Sequence, residues 1–402
     1  MIAIYISLNY NIFIIGWCDT KTLVISKPVY NYICPLVDFP LDGDKFFIEK
    51  TINSISSYGS MTALTLGKYG MDVEFTGAVG EDEIAKRIRE TFDSYQVKTN
   101  YIETCYTEKS AVSYKIYNSK SNKFTTIDEL SNKLGLTKYK YEFIPEVVIM
   151  DDKDYNANLA AINNYPNALL IYIGDKFTKE SSIYCNKCKY IISSLAFASN
   201  ATGITDGLNK PKNIVNLFQK FIDLYQANLI IKLDNFDILY CVNDEVRLIK
   251  NINKNITNKD SVYFSVLIYF IINNYDVETS IKLTNKVMLS SKNEINQIEN
   301  IPDYSFITNA IKEYEELKVK NIETENKIQS QTEEINNLQT TVNSNSTINQ
   351  EVVNNQQVMQ NNNIPNQVVN NVNIQNVPVN NTNIETFNIT NNQNGVNNGE
   401  NL

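Results

Sequence analysis

The 402-residue sequence predicts an α/β protein built on a mostly parallel sheet with helices on both faces. Three observations carry this. Through the middle of the chain, short apolar strands alternate with helical segments: Val147–Met150, Asn158–Asn163, Leu169–Ile173, Tyr190–Ser193, Ile214–Tyr225 and Leu229–Leu233. Val262 to Ile272 is apolar except for Ser265, the pattern of a helix buried nearly all round. Near the start lie more β-rich pieces than a parallel core needs.

In chain order, Met1 to Ile15 reads as two short β segments around Asn9-Tyr10-Asn11. Further β pieces are expected at Thr22–Ile25, Val29–Cys34 and Lys45–Ile48, separated by Pro28, Pro35, Pro40 and the turn Asp42-Gly43-Asp44. Gly59 to Tyr69 has helical spacing with small residues, and Val73–Ala78 is a strand. Glu81–Ser94 is an amphipathic helix with Ile84, Ile88 and Phe92 on one face. Ala111–Tyr117 and Lys123–Ile127 flank the polar turn 118–122 and form a hairpin. Beyond residue 310 the texture changes. Tyr314, Asn321, Ile328, Ile335 and Val342 recur every seven residues, but Thr324 and Gln331 spoil the companion position. A weak, short coiled coil and a solvated helix on its own domain fit that pattern equally. Half the residues from Asn343 to Leu402 are Asn or Gln, with no Lys or Arg, and the segment is expected to be disordered.

Composition narrows the function. A formal net charge of −9 argues against nucleic-acid and anionic-membrane partners. The absence of histidine removes every His base, His metal ligand and Ser-His or Cys-His pair. The Cys185/Cys188 pair has only scattered cysteines to complete a zinc site, so reduced, buried thiols are the simpler reading and no metal site is assigned. No basic residue precedes Lys21, as a signal peptide would require, and no apolar run approaches the ~20 residues of a membrane span. The expectation is a cytoplasmic protein.

Asp260 is the residue that most invites a chemical role. It follows the polar turn 255–259 and opens the apolar helix, where orphan N–H groups and the helix dipole favour an anion. Such a place can bind phosphate and hold a base beside it; equally, it is where a helix takes a simple cap.

Gly59-Ser60-Met61-Thr62-Ala63-Leu64-Thr65-Leu66-Gly67-Lys68-Tyr69-Gly70, continuing through Val73-Glu74-Phe75-Thr76-Gly77-Ala78-Val79-Gly80-Glu81-Asp82-Glu83 to Arg87, Ile88, Phe92 and Val97, resembles the PfkB (ribokinase-like) carbohydrate kinases. Pro40, Gly43 and Asp44 are similar to a Pro-x-x-Gly-Glu that precedes this stretch in the family. Asp260 and its helix resemble the family's Asp-Thr-x-Gly-Ala-Gly-Asp. The resemblance implies a ribokinase-like three-layer fold over residues 1–310, with pieces of a small β lid near 20–55 and 98–127. A helix would occupy 311–342 and the disordered tail 343–402. It also implies the family reaction, ATP-dependent phosphorylation of a sugar or nucleoside hydroxyl, with Asp260 as base and backbone N–H groups stabilising the moving phosphoryl. Mg²⁺ and ATP would be the cofactors of an active enzyme; an inactive one would need none. A homo-oligomer formed through the lid or the C-terminal helix is the protein partner such a chain would have.

The sequence departs from the family where chemistry is done. Thr257, Asn258 and Lys259 replace Gly-Ala-Gly in the anion hole, and Lys254 replaces the opening Asp. Ser56 and Ser57 replace paired glycines, Met61 replaces a substrate-binding Asn beside Gly59, and Asn11 replaces an Asp that holds sugar hydroxyls. Ser194 and Phe197 stand for the family's Asn-x-x-Glu, Lys232-Leu233-Asp234 for a Thr-x-Gly near the nucleotide, and Asp237 for a glycine. Together these predict an inactive or weak homologue kept for binding or assembly, a pseudokinase. The alternatives are a divergent working kinase and an interaction protein acting through its tail.

Overall fold

Two sheets organise the chain, one large and helix-covered, one small and open. The computed structural model describes residues 20–233, 236–243, 245–251, 259–353 and 384–388, with side chains up to 333. The ten-stranded sheet contains β1 (Thr22–Ile25), β4 (Val73–Gly80), β5 (Lys98–Cys105), β8 (Val147–Asp151), β9 (Leu169–Gly174), β10 (Tyr190–Ser194), β11 (Asn228–Lys232), β12 (Ile238–Val242), β13 (Glu245–Ile249) and β14 (Ile384–Asn388). Its spatial order is β14-β13-β12-β11-β10-β9-β8-β1-β4-β5. Every pairing from β11 to β5 is parallel, and β12, β13 and β14 add on antiparallel. The small sheet, order β3-β2-β6-β7, is made of β2 (Val29–Leu36), β3 (Ile52–Ser56), β6 (Val112–Asn118) and β7 (Lys123–Glu129).

One face of the large sheet carries α3 (Tyr155–Asn164), α4 (Ser181–Cys185), α5 (Leu195–Thr202) and α6 (Pro211–Tyr225), packed on Leu23, Ile25, Val148 and Met150. Side chains alternate along a strand, so Val24 and Ile149 turn to the opposite face. That face is covered by α1 (Tyr58–Lys68) and α7 (Asp260–Ile272), with α8 (Val277–Met288) behind them. Ser261 through Ile272 are all buried, as the uninterrupted apolar run requires. Two hydroxyls stitch α7 to α1, Ser265 Oγ donating to Thr62 Oγ1 at 3.1 Å. In α2 (Glu83–Ser94) the buried side is Ala85, Ile88 and Phe92, with Phe92 stacked on Phe75 at 4.3 Å; Asp82 caps its start by accepting from Ala85 N.

Three expectations change on seeing the fold. Lys45–Ile48 is not a strand: after the turn at Gly43 (φ 85°) the chain is irregular and Phe47 is 97% exposed. The strand is instead Ile52–Ser56, because those residues find a ladder against β2, Val29 opposite Ser56 through Ile33 opposite Ile52. Within 98–127, Lys98–Cys105 lies at the edge of the large sheet beside β4, while Val112–Asn118 and Lys123–Glu129 join the small sheet; β1 likewise belongs to the large sheet. The β12–β13 hairpin was not anticipated, although Ile238, Tyr240, Val246 and Ile249 give it a buried side. Met1–Ile15 lies outside the described residues.

The chain divides into two compact units, residues 1–308 with 382–402, and residues 309–381. In the second unit the described residues are helical, part of α9 (Tyr304–Val353), and Leu317, Val319, Ile322 and Ile328 are exposed along it. Within 343–402 the described parts are the end of α9 and β14. No helix among the described residues is long and apolar enough to cross a membrane.

Candidate active site

Parallel strands deliver the residues at their carboxyl ends to one edge of the sheet, the usual place for a ligand in this architecture. Here that edge collects Ser26 after β1, Asp151 ending β8 with Asp152 and Lys153 following it, Asp175 after β9 and Lys232 ending β11. The start of α7 brings Asp260 to the same edge. Its carboxylate Oδ2 lies 3.3 Å from Lys232 Nζ. Lys232 is itself fixed: its ammonium donates to the Leu233 carbonyl at 3.2 Å and sits 4.4 Å over the Phe236 ring. Its side chain is only 8% exposed, against 40% for Asp260, so the lysine is the desolvated partner of the pair.

A cavity of about 350 Å³ opens in front of Asp260. From the large sheet and its helices it is lined by Ser57, Tyr58, Lys153, Ser261 and Gln297; from the small sheet by Ser56, Ser113, Lys115, Thr126 and Asp128. Behind it runs a serine network. Ser26 Oγ meets Ser57 Oγ at 2.9 Å and donates to Asp151 Oδ2 at 2.6 Å, and that same oxygen accepts from Gly59 N at 3.0 Å. Asp151 is fully buried; burial, then the neighbouring Asp152, push its carboxyl above the usual range despite the hydrogen bonds. Lys153 Nζ pairs with Asp152 Oδ1 at 3.2 Å. Burial pulls the Lys153 ammonium down, but Asp152, Asp151 and Asp175 more than offset this and raise it. Asp175 is raised by burial and then by Asp152.

Ser57 carries the backbone strain of the site. At φ 123° and ψ 155° it occupies a region that is essentially glycine-only. This is one of the two positions that the sequence resemblance sets against a glycine, and the backbone angles are those a glycine would take. Its hydroxyl accepts from Ser60 N at 3.0 Å as the cap of α1 and donates to Ser60 Oγ at 2.8 Å, which helps to hold the strained residue in place.

The residues expected at the site do not all gather there. Asp260 does. Lys259 does not: its side chain is buried, its ammonium approaches the Ser291 carbonyl at 3.4 Å, and burial lowers its pKa. Gly59 and Met61 lie behind the cavity, Gly59 against Ser26 and Asp151, and Met61 fully buried in α1; the cavity wall is made instead by Ser57 and Tyr58. Asn11, Asp234, Lys254, Thr257 and Asn258 lie outside the described residues. Asp237 is nearly buried and accepts from Asn251 N at 2.8 Å.

Cofactor fit can be tested on the residues aligned with the magnesium and phosphate network. Ser194 caps α5, accepting from Phe197 N at 3.2 Å, and Phe197 is fully buried among Tyr172 and Phe177. Neither offers a carboxylate, and among the described residues no three Cys, Asp or Glu side chains gather to hold a metal. These residues do not fit a magnesium–nucleotide complex held in the family manner. Cys185 and Cys188 are buried free thiols whose pKa values are raised by burial.

Sequence reasoning missed Lys115, Lys153, Asp151 and Ser26. The signal for three of them was their position just after apolar strands, where a parallel sheet places its ligands.

The description of pfkB family carbohydrate kinases matches residues 59–303. The chain belongs to the pfkB family of carbohydrate kinases. No curated protein matches it by sequence. Among solved structures this pfkB-family chain is similar to the ribokinase of Thermotoga maritima, at 14% identity and a TM-score of 0.59 over 73% of this chain and 99% of that one. Arabidopsis thaliana ribokinase, complexed with ribose and ATP, aligns at 14% identity and a TM-score of 0.58 over 73% and 99%. The Methanocaldococcus jannaschii nucleoside kinase aligns at 15% and 0.58 over 74% and 100%. At these identities the likeness establishes the ribokinase-like fold.

Proposed function

We propose that this pfkB-family protein binds a sugar-like ligand, free or as the sugar of a nucleoside, in the lid-covered cavity, and that its transfer of phosphoryl from ATP is slow or lost. It then serves in the cytoplasm as a binding or assembly module. One observation carries this reading: Asp260 faces the cavity, yet its carboxylate is engaged by a desolvated lysine that competes with a substrate hydroxyl for the same oxygen. Support for binding comes from the polar lining, which gathers serine, threonine, lysine and carboxylate groups able to hydrogen-bond a polyol. Ser194 and Phe197, which cannot replace a carboxylate–amide pair at the phosphates, weigh against transfer.

The test is thermal denaturation with Mg-ATP and a panel of sugars and nucleosides, alongside an assay of phosphoryl transfer by the full chain and by Asp260→Asn. A ligand at 100 times its Kd stabilises by about 2.7 kcal/mol, enough to raise Tm visibly. Sugar-dependent stabilisation without transfer is the expected result. Transfer in the range of about 1–100 s⁻¹ that disappears in Asp260→Asn would favour a second reading, a working divergent kinase with Asp260 as general base. The placement of Asp260 at the start of a buried helix, open to the cavity, is the observation in its favour.

A further inference from the structure

The lid face that closes the cavity holds two polar groups, Ser113 and Lys115, whose side chains make no hydrogen bond to any described residue. Along β6 the side chains alternate, so Ser113 and Lys115 share the inner face while Tyr114 turns outward and stacks on Tyr32. Ser113 is 1% exposed and its Oγ has no hydrogen-bond partner among the described residues. Buried hydroxyls are nearly always satisfied, so an orphan at a cavity wall marks a place where a ligand atom belongs. Two residues on, the Lys115 ammonium makes no contact-range hydrogen bond or ion pair with any described residue.

The other charges of the cavity are committed or remote. Lys153 is paired with Asp152 and Asp260 with Lys232. Asp128 is exposed on β7, directly opposite Ser113 in the ladder, and reaches Lys115 only as a longer-range charge. Burial outweighs that attraction and lowers the Lys115 pKa, so the lysine is held in the wall at a cost that its surroundings leave uncompensated. A polyol could hydrogen-bond both groups but would leave the charge of the ammonium uncompensated. A negatively charged oxygen would satisfy both.

We propose that the ligand of this cavity carries an anionic group, a carboxylate or a phosphate ester, received by Lys115 Nζ and Ser113 Oγ on the inner face of the lid. The proposal rests on the reading of the cavity as a sugar site and assigns the class of sugar: an acidic or already phosphorylated one rather than a neutral one. A ligand bound this way ties the lid to the large domain through its two ends, one at Lys115 and the other beside Asp260.

Calorimetric titration of the full chain with ribose, ribonate and ribose 5-phosphate tests it. At least one anionic ligand should bind tenfold or more tightly than ribose, and the advantage should shrink as salt is raised. Ribonate against ribose 5-phosphate tells carboxylate from phosphate. Lys115→Met should bring the ratio of anionic to neutral affinity close to one, Lys115→Arg should keep a clear preference, and Ser113→Ala should reduce it severalfold. Lys115 is only partly buried and its ammonium holds no hydrogen bond to a described residue, so Lys115→Met should melt close to the parent, and lost binding would then not reflect lost folding. Ribose binding as tightly as both anions, or a preference that survives Lys115→Met, overturns the proposal and leaves the sugar-site reading standing. Failure of all three ligands to bind overturns both.

Discussion

Asp260 and Lys232 form an ion pair whose two halves are unequally buried, 40% exposed for the acid and 8% for the lysine. The inequality fixes which partner the fold misses more. Loss of Lys232 leaves a carboxylate that water can reach, whereas loss of Asp260 leaves an ammonium shut away beside Phe236. Asp260→Ala should therefore destabilise more than Lys232→Met, by about 1 kcal/mol; the several kcal/mol seen for fully buried pairs is reduced here by the exposure of Asp260. Urea denaturation of both variants checks the order. A larger loss for Lys232→Met would mean that the cation is held chiefly by Phe236 and the Leu233 carbonyl.

Ser57 separates strain from capping. Ser57→Ala keeps the glycine-only backbone angles and loses the hydroxyl that caps α1, so it should cost about 1–2 kcal/mol. Ser57→Gly loses the same hydroxyl but relieves about 1–3 kcal/mol of strain, and should be close to neutral or stabilising. Chemical denaturation that ranks glycine below alanine would show that the loop is unstrained.

Gly59 reverses the usual helix rule. An exposed helical glycine replaced by alanine gains roughly 1 kcal/mol. Here an added Cβ would meet Ser26 Cβ at 2.4 Å and Asp151 Oδ2 at 3.2 Å. Gly59→Ala should thus lower stability by about 1–3 kcal/mol and disturb the serine network. A variant as stable as the parent would show that α1 can slide away from the sheet.

The buried carboxyl of Asp151 predicts a pH signature. Its folded pKa lies above its ordinary value, so the folded state holds the proton more tightly than the unfolded one. Stability from this group is full below about pH 4 and is lost as pH rises through the raised folded value. Relative to Asp151→Asn, which does not titrate, the parent should lose stability on going from pH 4 towards neutrality. A difference that stays constant or grows with pH would contradict the assignment.

Much of the frame was legible from residue patterns. The alternation from Val147 to Leu233 and the apolar run of α7 impose parallel strands and a central helix, and both are present. Strands that depend on a partner were not legible. Ile52–Ser56 and Lys98–Cys105 are rich in Ser, Asn, Thr and Lys, and only a neighbouring ladder makes strands of them. The same limit applied to the site. Asp260 could be recognised from its own helix, but Lys232, which pairs with it, and Lys115, across the cavity from it, come from strands in different sheets, and no local pattern relates either to Asp260.

Phe197 and Gly174 are fitted to each other: a Cβ on Gly174 would lie 2.5 Å from the Phe197 ring, so the bare strand end and the aromatic residue fill one another's space. Placing glutamate at 197 would both empty that space and drive a charge among Tyr172 and Phe177, a double penalty of several kcal/mol. A carboxylate at this strand end is thus barred by upholstery as much as by chemistry, and a designer who wished to place one there would have to rebuild the furniture of the room before changing its occupant.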